Sequence, residues 1–507
     1  MRLDQLTSGL DERIVRDDGA TEIADIAFDS RRASPGTLFV CVPGMTSDGH
    51  EFAPLAVEAG ASALVVEREL ALEVPQVLVR DARRVMAPLA ARLFGDPSRE
   101  LAVVGITGTN GKTTTAFLVR AILEAAGIQC GLLGTVKQVV GGVEEPVERT
   151  TPEAIDLQRT FRRMLAGGDR ACVLEVSSHA LALGRADAIR FDVAAFTNLT
   201  QDHLDFHPGM SEYFAAKRLL FVPAADGGGI APETAAVNVD DPFGSRLLEE
   251  LRVAGMPPAI SFSATGAEAD LSAGGIEFDA SGTRFELRHG ADTSRVALGI
   301  PGLFNVENAL AALAATMALD VDLEVAIAAL ATAEPVPGRM EPIEAGQRFG
   351  VLVDYAHTPD SLENVLRASR RLTAGRLIAT FGCGGDRDPL KRPLMGRAGA
   401  DLSDLAIVTS DNPRSEDPAA IIDQVLAGID TAERDHVIVE PDRRAAIARS
   451  LAAAGPGDLV VIAGKGHEQG QEFEGGRKVP FDDRDVAREE LAAAASAGGA
   501  PSEGSAA

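Results

Sequence analysis

Gly105-Ile-Thr-Gly-Thr-Asn-Gly-Lys-Thr113 joins an apolar run to a helical pattern, and its residue types suit one task, holding phosphate. Glycines let the backbone wrap an anion, while amide N–H groups and the helix dipole face it. Lys112 adds a charge and Thr113 offers a hydroxyl to Mg²⁺; Gly108, Thr109, Asn110, Gly111 and Thr114 complete the loop. Five residues separate Gly105 from Gly111, one more than the usual pattern, so the loop is a variant. A glycine turn without a ligand is the competing reading, and the strand–loop–helix setting weighs against it. A guanine-reading Asn-Lys-x-Asp motif is absent. Glu175, at the end of the next apolar run, is placed to hold magnesium, although a solvated strand-end carboxylate would look the same.

The lysines carry a second signal. Of 48 Lys and Arg residues only six are lysine: Lys112, Lys137, Lys217, Lys391, Lys465 and Lys478. Where a generic positive charge suffices, this chain uses arginine, so a lysine that persists can be one whose amine arginine cannot imitate. Chance accounts well enough for Lys137 and Lys478. Chance is a less comfortable account of the other four, of which Lys112 and Lys217 fall inside the motifs described below.

These groups need a scaffold, and at 507 residues the chain exceeds one hydrophobic core, which predicts three domains. The net charge of −27 weighs against nucleic acid or an anionic membrane as the main partner, but not against phosphate held locally by a few cations and amides. Cys41, Cys130, Cys172 and Cys383 show no metal-ligand spacing and read as buried thiols in a reducing compartment. The N-terminus lacks an apolar signal core, and no apolar stretch approaches bilayer length. A cytoplasmic protein without membrane insertion is expected.

The fold class expected is α/β. Residues 1–97 contain short apolar runs such as Thr37-Leu-Phe-Val-Cys-Val42 and end in the breaker Gly95-Asp-Pro-Ser98. Residues 98–333 alternate buried-strand and helix patterns, predicting a parallel sheet, with an antiparallel appendage between about 260 and 300. Residues 334–492 repeat strand and helix, which predicts a Rossmann-like doubly wound sheet. From about 493 to 507 the chain is Ala/Gly/Ser-rich and reads as a disordered tail.

Longer motifs make the pattern specific. Thr107-Gly-Thr-Asn-Gly-Lys-Thr-Thr114, Glu175-Val-Ser-Ser-His179, Thr197-Asn-Leu-Thr-Gln-Asp-His-Leu-Asp205, Tyr213-Phe-Ala-Ala-Lys217 and Gly302-Leu-Phe-Asn-Val-Glu-Asn308 resemble the central domain of the Mur ligases. Pro337-Gly-Arg339, Asp354-Tyr-Ala-His-Thr-Pro359 and Gly382-Cys-Gly-Gly-Asp-Arg387 continue the resemblance, which runs in order over nearly the whole chain. Within the family it is most similar to members that add the third residue of the peptide stem.

The resemblance implies an ATP- and Mg²⁺-dependent ligase of peptidoglycan precursor synthesis, acting as a monomer on small molecules. A UDP-muramoyl-L-Ala-D-Glu carboxylate would be phosphorylated by ATP and then attacked by the amine of meso-diaminopimelate. Thr113 and Glu175 would hold one metal. His203 and Lys217 would hold a second, with Lys217 carboxylated on its amine to become an anionic ligand, which an arginine could not. Asn305 and Asn308 resemble adenine-side residues, although helix capping accounts for them equally well. Arg339 and Asp354 resemble nucleotide contacts from the third domain.

Asp29-Ser30-Arg31 and residues 44–49 resemble the uridine segment, while Thr150, Thr151, Ser177 and Arg185 match the muramoyl-dipeptide positions. Leu183 departs from the family, standing where some members carry glutamine. Asp411-Asn412-Pro413-Arg414 matches the motif for diaminopimelate, whose second carboxylate suits an arginine fork. Arg387, Gly464 and Glu468 match the remaining contacts, Glu468 suiting the distant ammonium. Folylpolyglutamate synthetase shares the loop and the lysine-bearing domain, but lacks the N-terminal unit and the Asp-Asn-Pro-Arg motif. A nonenzymatic nucleotide-regulated protein would not need Lys112, Glu175, His203 and Lys217 together.

Overall fold

The computed structural model describes residues 1–10, 12–15, 19–44, 47–224, 228–279 and 282–498. Its strands form three main sheets along the chain. Beta-branched and aliphatic runs with no polar interruption become the buried central strands, as their double-sided burial requires. Leu38, Phe39 and Val40 are completely buried in Thr37–Val40, as are Val351 to Val353 and Val460 to Ile462 or nearly so in the third sheet.

The N-terminal sheet has five strands, four of them parallel, with Glu12–Val15 antiparallel at one edge. The central sheet has eleven strands. Its parallel core runs Cys130–Leu133, Ala171–Glu175, Ala102–Thr107, Val193–Phe196, Thr234–Asn238 and Ala259–Ser263. The expected antiparallel appendage is present as Leu271–Asp279, Gly282–His289 and Asp292–Leu298, the first joined to the core in parallel. A second antiparallel extension, Gln138–Val140 with Val143–Glu145, lies at the opposite edge and was not anticipated. Separate apolar clusters cover the two faces of this sheet, one built on the helices Lys112–Ala125 and Leu303–Met317 and the other on Ala154–Ala166.

The third sheet orders its strands Glu341–Pro342, Gly350–Asp354, Leu459–Ala463, Leu377–Cys383, Leu405–Ser410 and Val437–Val439, all parallel after the first. The insertion of Leu459–Ala463 between Gly350–Asp354 and Leu377–Cys383 makes a topological switch, where open α/β sheets bind ligands at their carboxyl ends. Asp354, Cys383, Asp411 and Gly464 all lie at those ends. In the central sheet the loop 108–111, Thr135, Glu175 and Asn198 occupy the corresponding positions. The two carboxyl edges face one another across the site.

One expectation needs adjustment. The helix Asp483–Gly498 continues through the start of the supposed disordered tail, whose remainder, 499–507, lies outside the described residues. Its alanine-rich sequence that looked like low complexity is also the composition most favourable to helix. All four cysteines are buried and unpaired. No helix among the described residues is long and apolar enough to cross a membrane.

Asp483 anchors that last helix. Its carboxylate takes two bonds from Arg443, at 2.6 and 2.8 Å, and both side chains are fully buried. Removing one partner leaves an uncompensated buried charge, so Asp483→Asn should destabilise the third region by about 3–5 kcal/mol in urea unfolding followed by circular dichroism. Replacing both residues with leucine should cost less than the single change.

Candidate active site

The phosphate loop is fixed from beneath by the strand-end segment beginning at Thr197. Thr109 donates its backbone N–H to the Asn198 carbonyl at 2.9 Å, and the Asn198 side chain accepts from the Asn110 amide at 2.8 Å. Gly111 sits at φ +85°, where a Cβ would come within 2.2 Å of Asn308 Oδ1. A Cβ on Gly108 would come within 1.8 Å of Thr197 Oγ1. Both glycines are therefore demanded by close approach as well as by backbone angle.

Two amines converge on this loop. Lys112 Nζ donates to the carbonyls of Gly108 and Thr109 at 2.9 and 2.8 Å, and Lys217 Nζ donates to the same Gly108 carbonyl at 2.8 Å. Lys217 is buried, with its amine 4.6 Å from the Tyr213 ring centre. Burial, and then the Lys112 charge, push its pKa well below the ordinary lysine value. His203 stands nearby in a left-handed backbone conformation, φ +56°. Burial, with His179, Lys217 and Lys112 adding to it, pushes its pKa down to about 3, so the imidazole is neutral.

Glu175 faces the loop from the neighbouring strand. Its Oε2 accepts from the hydroxyls of Thr113 and Thr135, both at 3.0 Å, and Oε1 accepts from the Thr135 amide at 2.8 Å. A hydroxyl and a carboxylate side by side are hard oxygen donors that fit Mg²⁺, which keeps waters and phosphate oxygens as its other ligands. No cluster of three or more His, Cys, Asp or Glu able to hold a metal occurs among the described residues. An ammonium does not fit a metal; Lys217 fits only if its nitrogen carries a carboxylate.

Lys112, Thr113, Thr135, Glu175, His203 and Lys217 line one cavity of about 660 Å³. Asn305, Asn308, Arg339 and Asp354 line it too. The capping account of the two asparagines does not hold. Gly302 occupies the N-cap position, Asn305 Nδ2 donates back to the Pro301 carbonyl at 2.8 Å, and Asn308 Nδ2 donates to Asn305 Oδ1 at 3.0 Å. Arg339 stacks over Tyr355 and reaches Thr113 Oγ1 at 3.3 Å. Buried Asp354 accepts the backbone amides of Met340 and Ala356, each at 2.7 Å.

On another wall lie Thr150, Thr151, Ser177, Leu183 and Arg185. Arg185 pairs with Glu153 at 3.0 Å, and Thr151 Oγ1 donates to the Glu175 carbonyl. Ser30 does not line this cavity; it opens a short helical turn whose N-terminus is capped by the Asp29 carboxylate. Of the segment 44–49, residues 45 and 46 lie outside the described residues.

The third-region residues divide. Arg387 lines the main cavity, whereas Pro413 and Arg414 line a separate open cleft of about 800 Å³. The two arginines flank Gly384: a Cβ there would stand 3.0 Å from Arg414 Nη1 and 4.0 Å from Arg387 Cγ. Asp411, Asn412, Gly464 and Glu468 form a network behind this turn. Lys465 Nζ, fully buried, is 2.8 Å from Asn412 Oδ1, 2.9 Å from Glu468 Oε2 and 3.6 Å from Asp411. A Cβ on Gly464 would press within 2.8 Å of Asp411 Oδ2.

Several cavity residues were not singled out from sequence. Asp202 is a buried carboxylate set 3.5 Å from Lys391, 3.4 Å from His203 and 3.8 Å from His357. Burial opposes its ionisation, but the Lys391 ammonium, foremost among its charged neighbours, holds its pKa below the usual range. Asp360 accepts from Asn110 Nδ2 at 2.7 Å, tying the third region to the phosphate loop. Asn198 and Asp202 lie inside a motif already recognised, so the motif was the available signal; Asp360 and Thr135 reach the site only through folding.

Glu307 is another such residue. It lines the cavity between the two asparagines, and burial followed by the charges of Asp240, Asp360 and Asp241 pushes its pKa up to about 8. The unfolded chain would release that proton near 4.5, so between these values the folded state binds more protons and stability falls as pH rises. Glu307→Gln, which cannot ionise, should gain melting temperature relative to the parent progressively from pH 4.5 to 8, with no further gain below or above. A constant difference across that range would show that Glu307 titrates normally.

Comparison with known proteins agrees with this geometry. Family models match along the chain: "Mur ligase family, catalytic domain" over residues 22–93, "Mur ligase middle domain" over 106–316 and "Mur ligase, glutamate ligase domain" over 338–466. The UDP-N-acetylmuramoyl-L-alanyl-D-glutamate--2,6-diaminopimelate ligase of Syntrophomonas wolfei is 46% identical over 472 residues, covering 93% of this chain and 95% of that protein. A solved structure of a ligase of the same name superposes with a TM-score of 0.69 at 31% identity, covering 98% of this chain and 99% of the other. MurF ligase from Thermotoga maritima, solved in complex with ADP, shares the fold with a TM-score of 0.61 at 20% identity, over 93% and 96% of the two chains. With matches in this order and at this coverage, the chain belongs to the Mur ligase family.

Proposed function

We propose that the protein joins meso-diaminopimelate to UDP-N-acetylmuramoyl-L-alanyl-D-glutamate, using ATP, in the cytoplasm. The observation that carries this reading is the single cavity between two carboxyl sheet edges, which gathers a phosphate loop, two converging amines and a carboxylate–hydroxyl pair. The names of the relatives supply the substrates. In the reaction a carboxylate oxygen of the nucleotide substrate attacks the γ-phosphorus and ADP leaves. The amine of the second substrate then attacks the acyl carbon, phosphate leaves, and the amine proton is lost.

Both steps bring anions together, so preorganised positive charge must dominate the site. Lys112 and Arg339 supply it toward the triphosphate. Mg²⁺, held by Thr113 and Glu175, would neutralise phosphate charge, and a second ion would sit between His203 and carboxylated Lys217. Three features support the Lys217 assignment: its amine is buried, its pKa is depressed, and it shares the Gly108 carbonyl with Lys112. A neutral amine is the form that adds carbon dioxide, releasing one proton as the N–C bond forms. Asn305, Asn308 and Asp354 would surround the nucleoside, with Gly108 to Thr114 around its phosphates.

Thr150, Thr151, Ser177 and Arg185 would hold the muramoyl-dipeptide, and Ser30 the distant uridine end. Arg387, Asp411, Asn412, Pro413, Arg414, Gly464 and Glu468 would receive diaminopimelate. Each region would then contribute one part of a long composite substrate, residues 1–97 the uridine end, 98–333 the ATP and 334–492 the amino acid.

Phosphate release with ATP and the UDP-dipeptide should require meso-diaminopimelate, and L-lysine should not replace it; equal use of lysine would overturn the substrate assignment. Lys217→Ala should keep the fold and lose turnover, with partial recovery on adding a short carboxylic acid. Full activity in that variant would remove Lys217 from the mechanism. Arg414→Ala should raise the diaminopimelate KM by about tens- to a thousandfold while the KM for ATP changes little. An unchanged diaminopimelate KM would take Arg414 out of recognition.

A further inference from the structure

The turn that carries Thr150 and Thr151 into the cavity runs on through Pro152 to Glu153, which begins the helix Ala154–Ala166. A side chain at that position ordinarily turns back onto the free amides of its helix. Glu153 makes no such capping bond. Its carboxylate, only 7% exposed, meets three guanidinium groups instead. Arg149 Nη1 lies 2.6 Å from Oε1, Arg185 Nη2 lies 3.0 Å from the same oxygen, and Arg83 Nη1 lies 3.4 Å from Oε2. Arg83 belongs to the helix Ala82–Leu93 of the first region, whereas Arg149 and Arg185 line the main cavity. One buried anion therefore joins three segments far apart in sequence.

Three cations on one carboxylate leave an excess of positive charge. Two acids close in sequence are committed elsewhere, Asp156 to Arg32 at 2.6 Å and Asp187 to Arg84 at 3.4 Å. Among the described residues, Glu153 is the one ion-pair partner of Arg185. Arg185 Nη1 reaches the Thr151 carbonyl at 3.4 Å, and its buried Nε has no hydrogen-bond partner. The direction in which Arg185 presents itself is thus set by Glu153. An arginine fork matches a carboxylate only when its plane is held in register. The glutamate that ends the proposed dipeptide substrate carries two carboxylates. One is phosphorylated beside the triphosphate. The other needs a cation on the wall built by Thr150, Thr151 and Ser177, where Arg185 stands.

Resting on the proposed substrate, we infer that Glu153 is a positioning residue that touches no substrate itself. It holds Arg185, with Arg149 beside it, in the orientation that receives the unreacted carboxylate of the dipeptide. Through Arg83 it ties that orientation to the first region, to which the uridine end is assigned. The sign of its effect separates orientation from charge. By charge alone, removing a negative group from this cluster would draw an anionic substrate in more strongly. Loss of orientation weakens binding.

The test measures phosphate release with the UDP-dipeptide and with a counterpart whose unreacted carboxylate is an amide. The parent enzyme should prefer the carboxylate in kcat/KM by about tenfold or more. Glu153→Gln, nearly isosteric, should raise the KM for the UDP-dipeptide by about tenfold and shrink that preference toward one. The KM values for ATP and meso-diaminopimelate should stay unchanged. Glu153→Asp keeps the charge but is too short to span three arginines, so it should lose the preference as well. Because it preserves the buried charge, it decides the question if Glu153→Gln fails to fold. The inference is overturned if Glu153→Gln binds the UDP-dipeptide as tightly as the parent or more tightly, or if either variant retains the parental preference. A parent enzyme that releases no phosphate with the UDP-dipeptide would instead defeat the substrate reading itself, and this inference with it.

Discussion

Two amines meeting on one backbone carbonyl are the constraint around which the site is built. Lys112 and Lys217 share one backbone carbonyl, and Arg339 reaches the same loop from the other sheet. A half-buried and a fully buried ammonium so close together are tolerable only if an anion neutralises them or one gives up its proton. The depressed pKa of Lys217 is the second solution, realised in the protein alone. Phosphate is the first. The facing carboxyl edges, the glycines that admit close backbone approach and the hydrogen bonds from Asn198 all serve to hold that unbalanced charge in place.

That arrangement also explains why the third region matters to a loop it does not contain. Asn110 bonds Asp360, Gln201 bonds Asp388 at 3.1 Å, and Asp202 stands among Lys391, His357 and His203. Apart from Asp202 with His203, each contact pairs a residue following a central strand with one following a strand of the third sheet. The cavity walls are therefore a product of how the two sheets meet, and a change in that meeting alters every group in the site.

The buried strands were legible because double-sided burial demands uninterrupted apolar residues, as at Ala63–Val66 and Gly350–Asp354. The short extension Gln138–Val140 with Val143–Glu145 was not, since each strand is only three residues long and their pairing depends on a neighbour already in place. At the site, the phosphate loop and Glu175 could be read from residue type and position alone. The roles expected of His203 and Lys217 came only from longer motifs. Glu468 illustrates the limit: its sequence position suits an ammonium, but Lys465, three residues earlier, already provides one. The Arg83–Glu153 pair joins residues 70 positions apart, and no local spacing announces it.

Enclosing the cations has an effect beyond the cavity. The chain carries a net charge of −27, so the field that a distant solute meets is negative, while Lys112, Lys217 and Arg339 present positive charge inside the cavity. Nucleotide substrates are themselves anions, and during diffusion they approach against this field until they enter the mouth of the cavity. Capture is then governed by the last few ångströms instead of by long-range steering. Moderate ionic strength, which shortens the reach of the outer field to about 8–10 Å while hardly touching the enclosed charges, favours encounter in this protein, the reverse of its effect on enzymes that draw in their substrates electrostatically.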